Sequence, residues 1–497
     1  MKAHDLLAAL LDPGTFRSWD NGPADGLADV RPSPDYAADL ARAREKTGLD
    51  ESVITGTGLI GGHRVAVAAS EFGFLGGSIG VAAGERLARA VGRATAERLP
   101  LIALPASGGT RMQEGTAAFL QMVKVTAAVT AHKAAHLPYF AYLRHPTTGG
   151  VFASWASLGH LTIAEPGALL GFLGPRVYQE LHGAPFPPGV QTAENLSAHG
   201  LVDAVVAPGD LAAFLDRVLT ALGPAAREAP APPERPEEEP VPPESPGVRI
   251  GSAWASVLRT READRPGTAD LLRAAATGPV LLETGSRPRA GMILALARMG
   301  GYPCVVIGQD RQQPPPGPAG LRLARRAIRL AAELRLPLVT VIDTPGAELS
   351  VQAEEDGLAR EIAFCLADLL THPGPTVSVL LGQGAGGAAL ALLPADRTLA
   401  AEHAWLAPLA PEGASAIVYR DRDHAAELAM RQGILATDLA ALGVVDQVIP
   451  EPGRDVLSRD LADALHRALA GVLAQDEGTR LAARARRYRY IGAPPGA

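Results

Sequence analysis

Residues 375–393, PTVSVLLGQGAGGAALALL, decide how this chain is read. The apolar, β-branched run Thr376–Leu381 predicts a buried strand. Glycines at 382, 384, 386 and 387 then predict a tight turn, and the Ala/Leu run after them a helix. Strand, glycine turn and helix start together aim unpaired backbone N–H groups at one point. Glycine also lets a ligand come close to the main chain. No acid, base or nucleophile sits in the turn itself, so any chemistry there is stabilisation of a negative oxygen by amides. Taken alone, the commoner reading is an ordinary βα turn.

The first half of the chain holds a counterpart. LPYFAYLRHPTTGG (137–150) matches PTVSVLLGQGAGG (375–387), and LPLIALPASGGT (99–110) matches LPLVTVIDTPGA (336–347). LTIAEPGALLGFLGP (161–175) stands where LAAEHAWLAPLAPEG (399–413) stands, and TAENLSAHGLVDAVVAP (192–208) matches TDLAALGVVDQVIPEP (437–452). Four matches in one order make the chain two copies of one βα-rich unit. Between them, 224–250 is rich in Pro and Glu, has almost nothing to bury and reads as an extended linker. The expected division is therefore 1–223, the linker 224–250, and 251–497.

Around these loops the pattern is regular. Strands are predicted at Val65–Ala69, Leu101–Pro105, Tyr139–Leu143, Val305–Ile307 and Leu338–Asp343, and long helices at 79–98, 112–135, 321–335 and 358–370. Strands alternating with helices predict parallel βα units with ligand loops at the strands' C-terminal ends.

Composition narrows the function. The chain has 497 residues, enough for two cores, with 47% hydrophobic and 20% charged residues, as in a globular protein. A formal net charge of −7 argues against nucleic acid or an anionic membrane as partner. Cys304 and Cys365 lie in apolar runs and cannot build a four-thiolate zinc site or a disulfide framework. No apolar segment reaches membrane-spanning length and the N-terminus lacks a signal-peptide pattern, so the expected location is cytoplasmic.

Each half carries two glycine-bearing loops after apolar strands: Gly108-Gly109 and Gly149-Gly150 in the first, Gly346-Ala347 and Gly386-Gly387 in the second. If the loops of a half converge, their amides form a two-donor oxyanion hole suited to a thioester enolate. Two such holes fit group transfer between two carbonyl compounds. Arg111 and Glu114, after the first loop, read as a cap with a salt bridge or as ligand contacts. Glu354, Glu355 and Asp356 read as helix-start acids, and His132, His136, His145 and His160 as structural, since their spacing fits no metal.

At this level of detail the chain resembles a known family. EFGFLGG (71–77), SGGTRMQEG (107–115), PTTGGVFAS (146–154) and EPGALLGFLGPRV (165–177) are similar to the β subunit of bacterial acetyl-CoA carboxylase carboxyltransferase. IDTPGA (342–347), AEEDG (353–357), GQGAGGAALAL (382–392), PEGASAIV (411–418) and GVVDQVIPEP (443–452) are similar to its α subunit. The chain thus resembles β and α fused head to tail. The resemblance implies an α/β fold of two tandem crotonase-like (ClpP/crotonase) ββα-spiral domains. It implies transfer of CO₂ from biotin, held on a separate carrier protein, to the α-carbon of an acyl-CoA.

By the same resemblance, Gly149 and Gly150, with Gly108 and Gly109 nearby, hold the thioester oxygen. Gly386 and Gly387, with Gly346 and Ala347, hold the biotin carbonyl, and no side-chain base is required. Arg176 reads either as a contact to a CoA phosphate or as a surface arginine. Departures are the absence of the family's four-cysteine ribbon, so that no zinc is expected, a shortened loop at 309–320, and glycines replaced around Glu348–Gln352. No biotinylation site is present, so a biotin carboxyl carrier protein and a biotin carboxylase are the expected partners, and the two holes predict a homodimer or higher homo-oligomer. The alternatives are a biotin-independent decarboxylase of a malonyl-type thioester and a catalytically silent paralogue.

Overall fold

The computed structural model describes residues 1–20, 33–172, 184–223, 252–282 and 291–489. The Pro/Glu-rich segment lies outside the described residues. Chain contacts divide the molecule into two compact units, one running from Met1 to Thr220 and the other starting at Ala221.

The first unit is built on a seven-stranded sheet. Its strands are β1 (Arg17–Ser18), β2 (Val53–Ile60), β3 (His63–Ser70), β4 (Leu101–Leu104), β5 (Tyr139–Leu143), β7 (Leu161–Ala164) and β9 (Ala204–Val205), adjacent in that order. Two short strands, β6 (Thr147–Thr148) and β8 (Leu170–Gly171), pair separately. From β3 onward neighbours are parallel, whereas β1, β2 and β3 are antiparallel. The helices Val81–Ala96 and Gly115–Ala134 follow β3 and β4. The first buries Ala83, Leu87, Ala90, Val91 and Ala94, a stripe at helical spacing.

The second unit repeats this order with β10 (Ala276–Leu281), β11 (Met292–Met299), β12 (Tyr302–Gln309), β13 (Leu338–Thr344), β14 (Thr376–Ala385), β15 (Arg397–Ala401) and β17 (Gln447–Ile449). β16 (Trp405–Ala407) pairs with β14 off this path. The helix Pro318–Leu334 buries Leu321, Ala324, Ala327, Ile328, Ala331 and Leu334 behind the sheet.

Three expectations change. The sheets are mixed, because each unit opens with an antiparallel hairpin, β2–β3 and β11–β12, that the parallel reading did not include. Both hairpins close on two glycines with positive φ, Gly61-Gly62 and Gly300-Gly301, the backbone that a two-residue turn of matching twist requires. Gly382 and Gly384 are not in the turn: β14 runs on through Ala385, and the helix starts at Gly386. A Cβ at 382 would lie 2.5 Å from Asp343 Oδ1, and one at 384 would lie 2.5 Å from the Trp405 carbonyl oxygen. Those glycines serve packing inside a strand. Finally, of the three acids expected at a helix start, Glu354 lies in the first turn of the short helix Val351–Glu355, capped by Ser350, whereas Glu355 ends that helix and Asp356 stands at its C-cap.

Among the described residues no helix is long and apolar enough to cross a membrane. Cys304 and Cys365 are buried, and burial pushes both thiols up to about 12.

Candidate functional site

In each unit the third and fourth strands of the repeat end in the paired loops, and the pairing skips two residues on the longer strand. In the second unit Ile342 faces Leu380, but the next pair is Thr344 with Gly384. In the first, Ala103 faces Ala141 and the next pair is Ser107 with Thr147. This bulge swings the longer strand so that a helix starts beside the shorter strand's loop. The units then correspond residue by residue: Ser107 with Thr344, Gly109 with Gly346, Arg111 with Glu348, Thr147 with Gly384, Gly149 with Gly386 and Gly150 with Gly387. Gly149 and Gly386 both have φ near the left-handed region, at 62° and 66°, and each opens a helix, Gly149–Phe152 and Gly386–Leu390.

The predicted loops do converge in the first unit. A Cβ at Gly109 would lie 3.3 Å from Gly150 N, and one at Gly149 would lie 3.3 Å from the Gly108 carbonyl oxygen. The amide inventory is smaller than expected, however. Gly108 N–H donates to the Gly76 carbonyl at 2.9 Å, Gly149 N–H to the Phe172 carbonyl at 3.1 Å, and Gly109 N–H to Ser107 Oγ at 3.0 Å. Gly150 N–H, in the first turn of its helix, takes no acceptor among the described residues. In the second unit Gly346 N–H is likewise held by Thr344 Oγ1 at 3.2 Å. Gly386 N–H is engaged by the Ala407 carbonyl in the β14–β16 ladder, as Gly149 N–H is by Phe172, whereas Ala347 and Gly387 N–H have no acceptor among the described residues. The donors open to a ligand are therefore those of Gly150 on one side and Ala347 and Gly387 on the other. Gly108, Gly109, Gly149, Gly346 and Gly386 shape the loops with their amides already engaged.

Arg111 is a second correction. Its side chain is 1% exposed and makes a two-pronged ion pair with Glu51, with further bonds to the Ser78 carbonyl at 2.8 Å and Ser52 Oγ at 3.2 Å. Glu114 accepts from Val81 N at 2.5 Å and from the Tyr36 hydroxyl, and lies 3.4 Å from Arg111 Nη1. Burial raises the Tyr36 hydroxyl to about 12, with the Glu114 bond acting the same way. Of the two readings open in the sequence, the cap with a salt bridge is what the fold builds: Arg111 ties the first loop to the strand start from behind. Arg176 lies outside the described residues.

The second unit holds a residue that motif reading passed over. Asp343, at the end of β13, is fully buried beneath the second loop pair. Its Oδ1 accepts Gln383 N–H at 3.0 Å, and its Oδ2 faces Arg311 at 3.5 Å. Burial lifts this carboxyl to about 6, with Arg311 pulling the other way. Gln309, at the end of β12, accepts Asp343 N–H at 2.9 Å and donates to the Ala388 carbonyl at 2.8 Å, so it joins β13 to the Gly386 helix. Arg265 pairs with Glu451 and donates to the Leu381 carbonyl at 2.8 Å. The available signal was a charged residue ending the otherwise apolar run LVTVID.

Of the four histidines, His132 is buried between Thr95 Oγ1 at 2.9 Å and the Pro138 carbonyl at 3.2 Å, and burial lowers its pKa. His160 accepts Tyr139 N–H at 3.0 Å. Among the described residues no group of three or more His, Cys, Asp or Glu side chains is placed to hold a metal ion.

These loops can be set beside known proteins. Residues 33–457 match the carboxyl transferase domain family. A probable biotin-dependent acyl-coenzyme A carboxylase beta3 subunit of Mycobacterium tuberculosis (strain ATCC 25618 / H37Rv) is 58% identical over 503 residues, covering 98% of each chain. The acetyl-coenzyme A carboxylase carboxyl transferase subunits beta/alpha of Salinispora arenicola are 40% identical, covering 99% of this chain and 91% of that one. Among solved structures, transcarboxylase 12S matches with a TM-score of 0.74 at 22% identity, covering 96% of this chain and 90% of that one. The likeness shows the fold: α/β, with tandem crotonase-like domains. With a family match over most of its length and two intact loop pairs in order, the chain belongs to the carboxyl transferase domain family.

Proposed function

We propose that this chain is the carboxyltransferase component of a biotin-dependent acyl-CoA carboxylase, moving CO₂ from biotin on a carrier protein to the α-carbon of acetyl-CoA or a similar acyl-CoA. One observation carries the reading: the bulged strand, glycine pair and helix start occurs twice, and each copy leaves amides at the helix start without an acceptor. A single set of open amides stabilises one oxyanion, whereas carboxyl transfer between two carbonyl compounds generates one on each partner.

In this reading Gly150 donates to the thioester oxygen as the α-proton leaves. Gly387, with Ala347 nearby, donates to the ureido oxygen, while Gly386 shapes the turn with its amide held by Ala407. Biotin, when it arrives on its carrier, supplies the transferable carboxyl group and a ureido oxygen that takes up the negative charge. The second loop pair fits such an acceptor: a Cβ at Gly346 would meet nothing within 4 Å, so space lies beside the open amides. Charge that appears during reaction meets preoriented dipoles and costs no rearrangement.

A biotin carboxylase and a biotin carboxyl carrier protein complete the proposed enzyme. Two copies or more of this chain would bring a first-unit loop pair of one copy to a second-unit pair of another. Large apolar side chains close in sequence to both loop pairs are exposed, Met112 at 80% and Leu349 at 85%, with Phe119, Val123 and Val351 near them. The name of the transcarboxylase 12S structure describes a hexamer assembly.

The test is to incubate the purified chain with malonyl-CoA or methylmalonyl-CoA, with and without biotin, and to follow decarboxylated acyl-CoA. Biotin-dependent loss of the carboxyl group is the expected result. Loss without biotin would make the chain a decarboxylase, and no loss with either ester would remove the reading. Light scattering at micromolar concentration is expected to give a dimer or larger, and a monomer would break the assembly part.

A further inference from the structure

The bulge that aims the second loop pair creates a backbone problem, and the two units solve it differently. Between the Leu380 and Gly384 pairings, β14 leaves its register with β13 while still pairing with β16, so Gln383 N–H loses its partner on β13 in a partly buried place. In the first unit the corresponding position is Pro146, which has no N–H, and Ala106 faces it from the shorter strand. In the second unit the corresponding residues are Gln383 and Asp343, and the carboxylate takes the orphaned N–H at 3.0 Å. Gly382 makes this possible: a Cβ there would lie 2.5 Å from Asp343 Oδ1, where the first unit carries His145.

Every element around the carboxyl contributes. Arg311 faces Oδ2 at 3.5 Å while donating to the carbonyls of Thr260 and Glu262 at 3.1 and 2.9 Å. Gln309 on β12 holds the Asp343 amide. Arg265, itself neutralised by Glu451, holds the Leu381 carbonyl on the same stretch of β14. The two backbone groups flanking Gly382 are thus each gripped by a buried side chain, three residues before the helix start that offers its amides. Burial of an ionisable group at this depth is costly unless its bonds offset it.

We propose that Asp343 is a positioning residue of the second loop pair: by accepting Gln383 N–H inside the β14 bulge, it sets the direction of the open Gly387 amide. Its role in turnover rests on the reading of that loop pair as the biotin side; its role in geometry does not.

The experiment uses the full chain and three variants, Asp343→Ala, Asp343→Asn and the double variant Asp343→Ala with Gln383→Pro. Two readouts are taken: hydrogen–deuterium exchange of a peptide spanning 381–390, and kcat with KM for the acyl-CoA in biotin-dependent transfer. Asp343→Ala is expected to speed exchange in that peptide, and to lower kcat, by about 10- to 100-fold, the loss of one charge-assisted bond, with KM for acyl-CoA within about twofold. Asp343→Asn keeps an oxygen acceptor and should stay within about threefold of the parent. The double variant, with no N–H left to satisfy, should regain slow exchange as in the first unit. Parent-like exchange in Asp343→Ala, or equal damage in Ala and Asn, overturns the proposal. Should Asp343→Ala not fold, the Asn variant decides alone: parent-like exchange supports the acceptor role and a rise of about tenfold or more overturns it. If the exchange pattern holds but the parent shows no carboxyl transfer, the functional reading fails and the positioning role stands.

Discussion

The two loop pairs share one backbone plan and are held in opposite ways. In the first unit the loops abut main chain to main chain, with Gly109 and Gly149 pressed against Gly150 and Gly108. In the second, a Cβ at Gly346 would meet nothing, and one at Gly386 only the Pro408 carbonyl oxygen at 3.5 Å. The first loop is anchored by Arg111, a buried cation in a network with Glu51, Glu114 and Tyr36. Its counterpart Glu348 is exposed, and the second loop pair rests instead on Asp343 and Gln309 beneath it. Duplication thus preserved where the amides point, while the means of holding them diverged. An amide's direction is set by a few backbone angles, and many side-chain arrangements can hold the same angles.

The largest expected effect separates the two anchors. Arg111→Ala removes the cation from a buried pair and leaves Glu51 and Glu114 uncompensated, which should cost about 3–5 kcal/mol of stability. Glu348→Ala, at the equivalent exposed position, should change stability by about 0.5 kcal/mol or less. Chemical denaturation of the two variants measures both, and equal losses would remove the contrast. Next come the amides themselves. Valine at Gly387 would place Cβ 2.7 Å from Ile362 Cδ1, a flexible tip, so the fold should survive while the branched side chain covers the donors. Turnover should fall about 10²- to 10³-fold, the scale of losing one oxyanion donor, with circular dichroism unchanged. Gly150→Val should act alike on the first side. Full carboxyl transfer by Gly387→Val would show that the second pair is not the site.

The pH dependence sharpens the comparison further. Asp343 has its folded pKa raised to about 6 by burial. Its stability contribution is therefore fully present below its unfolded value, about 4, and is lost as pH rises through about 6. The unfolding free energy of the parent minus that of Asp343→Asn should accordingly fall between pH 4 and 7, by up to about 3 kcal/mol. A flat difference would mean that the carboxyl does not titrate in this range. His372 works in the opposite sense: burial, with Arg484 and Arg480 nearby, lowers its pKa to about 3. Its contribution is present above its ordinary value of about 6.5 and disappears as pH falls toward 3. The difference between variants isolates Asp343 from this counter-trend. The smallest effect compares two glycines. Gly109 and Gly346 both have φ values that favour glycine, 106° and 148°, so alanine strains both. Only at 109 must the new Cβ also press on a neighbour, Gly150 N at 3.3 Å. Thermal unfolding should show Gly109→Ala worse than Gly346→Ala by about 1 kcal/mol.

Much of this was legible locally. The strands Tyr139–Leu143 and Leu358–Leu370 helix stand at the expected bounds, because each is a run whose own apolar period matches its structure. The strand Val53–Ile60 is hidden in the sequence, although Gly61-Gly62 after it signals a hairpin. Gly56 and Gly58 make its sequence look broken, and their reason lies elsewhere in the chain. A Cβ at Gly56 would strike the Phe16 ring, and one at Gly58 would strike Leu11. Gly382 and Gly384 look like turn residues for the same reason: a glycine that permits a bend and one that makes room for a neighbour are identical in sequence.

The duplication, the α/β alternation and the four loops that end the paired strands are all written in local stretches of chain. Those features follow from the apolar period and from glycine's backbone freedom, both written in contiguous residues. Which amides are open, that Arg111 faces inward, and that Asp343 stands in for what Pro146 makes unnecessary in the other unit come from the folded chain alone. Each of these depends on who owns a hydrogen bond. Gly108 N–H is claimed by Gly76, Gly149 N–H by Phe172 and Gln383 N–H by Asp343. Partners that far apart along the chain meet only once the sheet has folded.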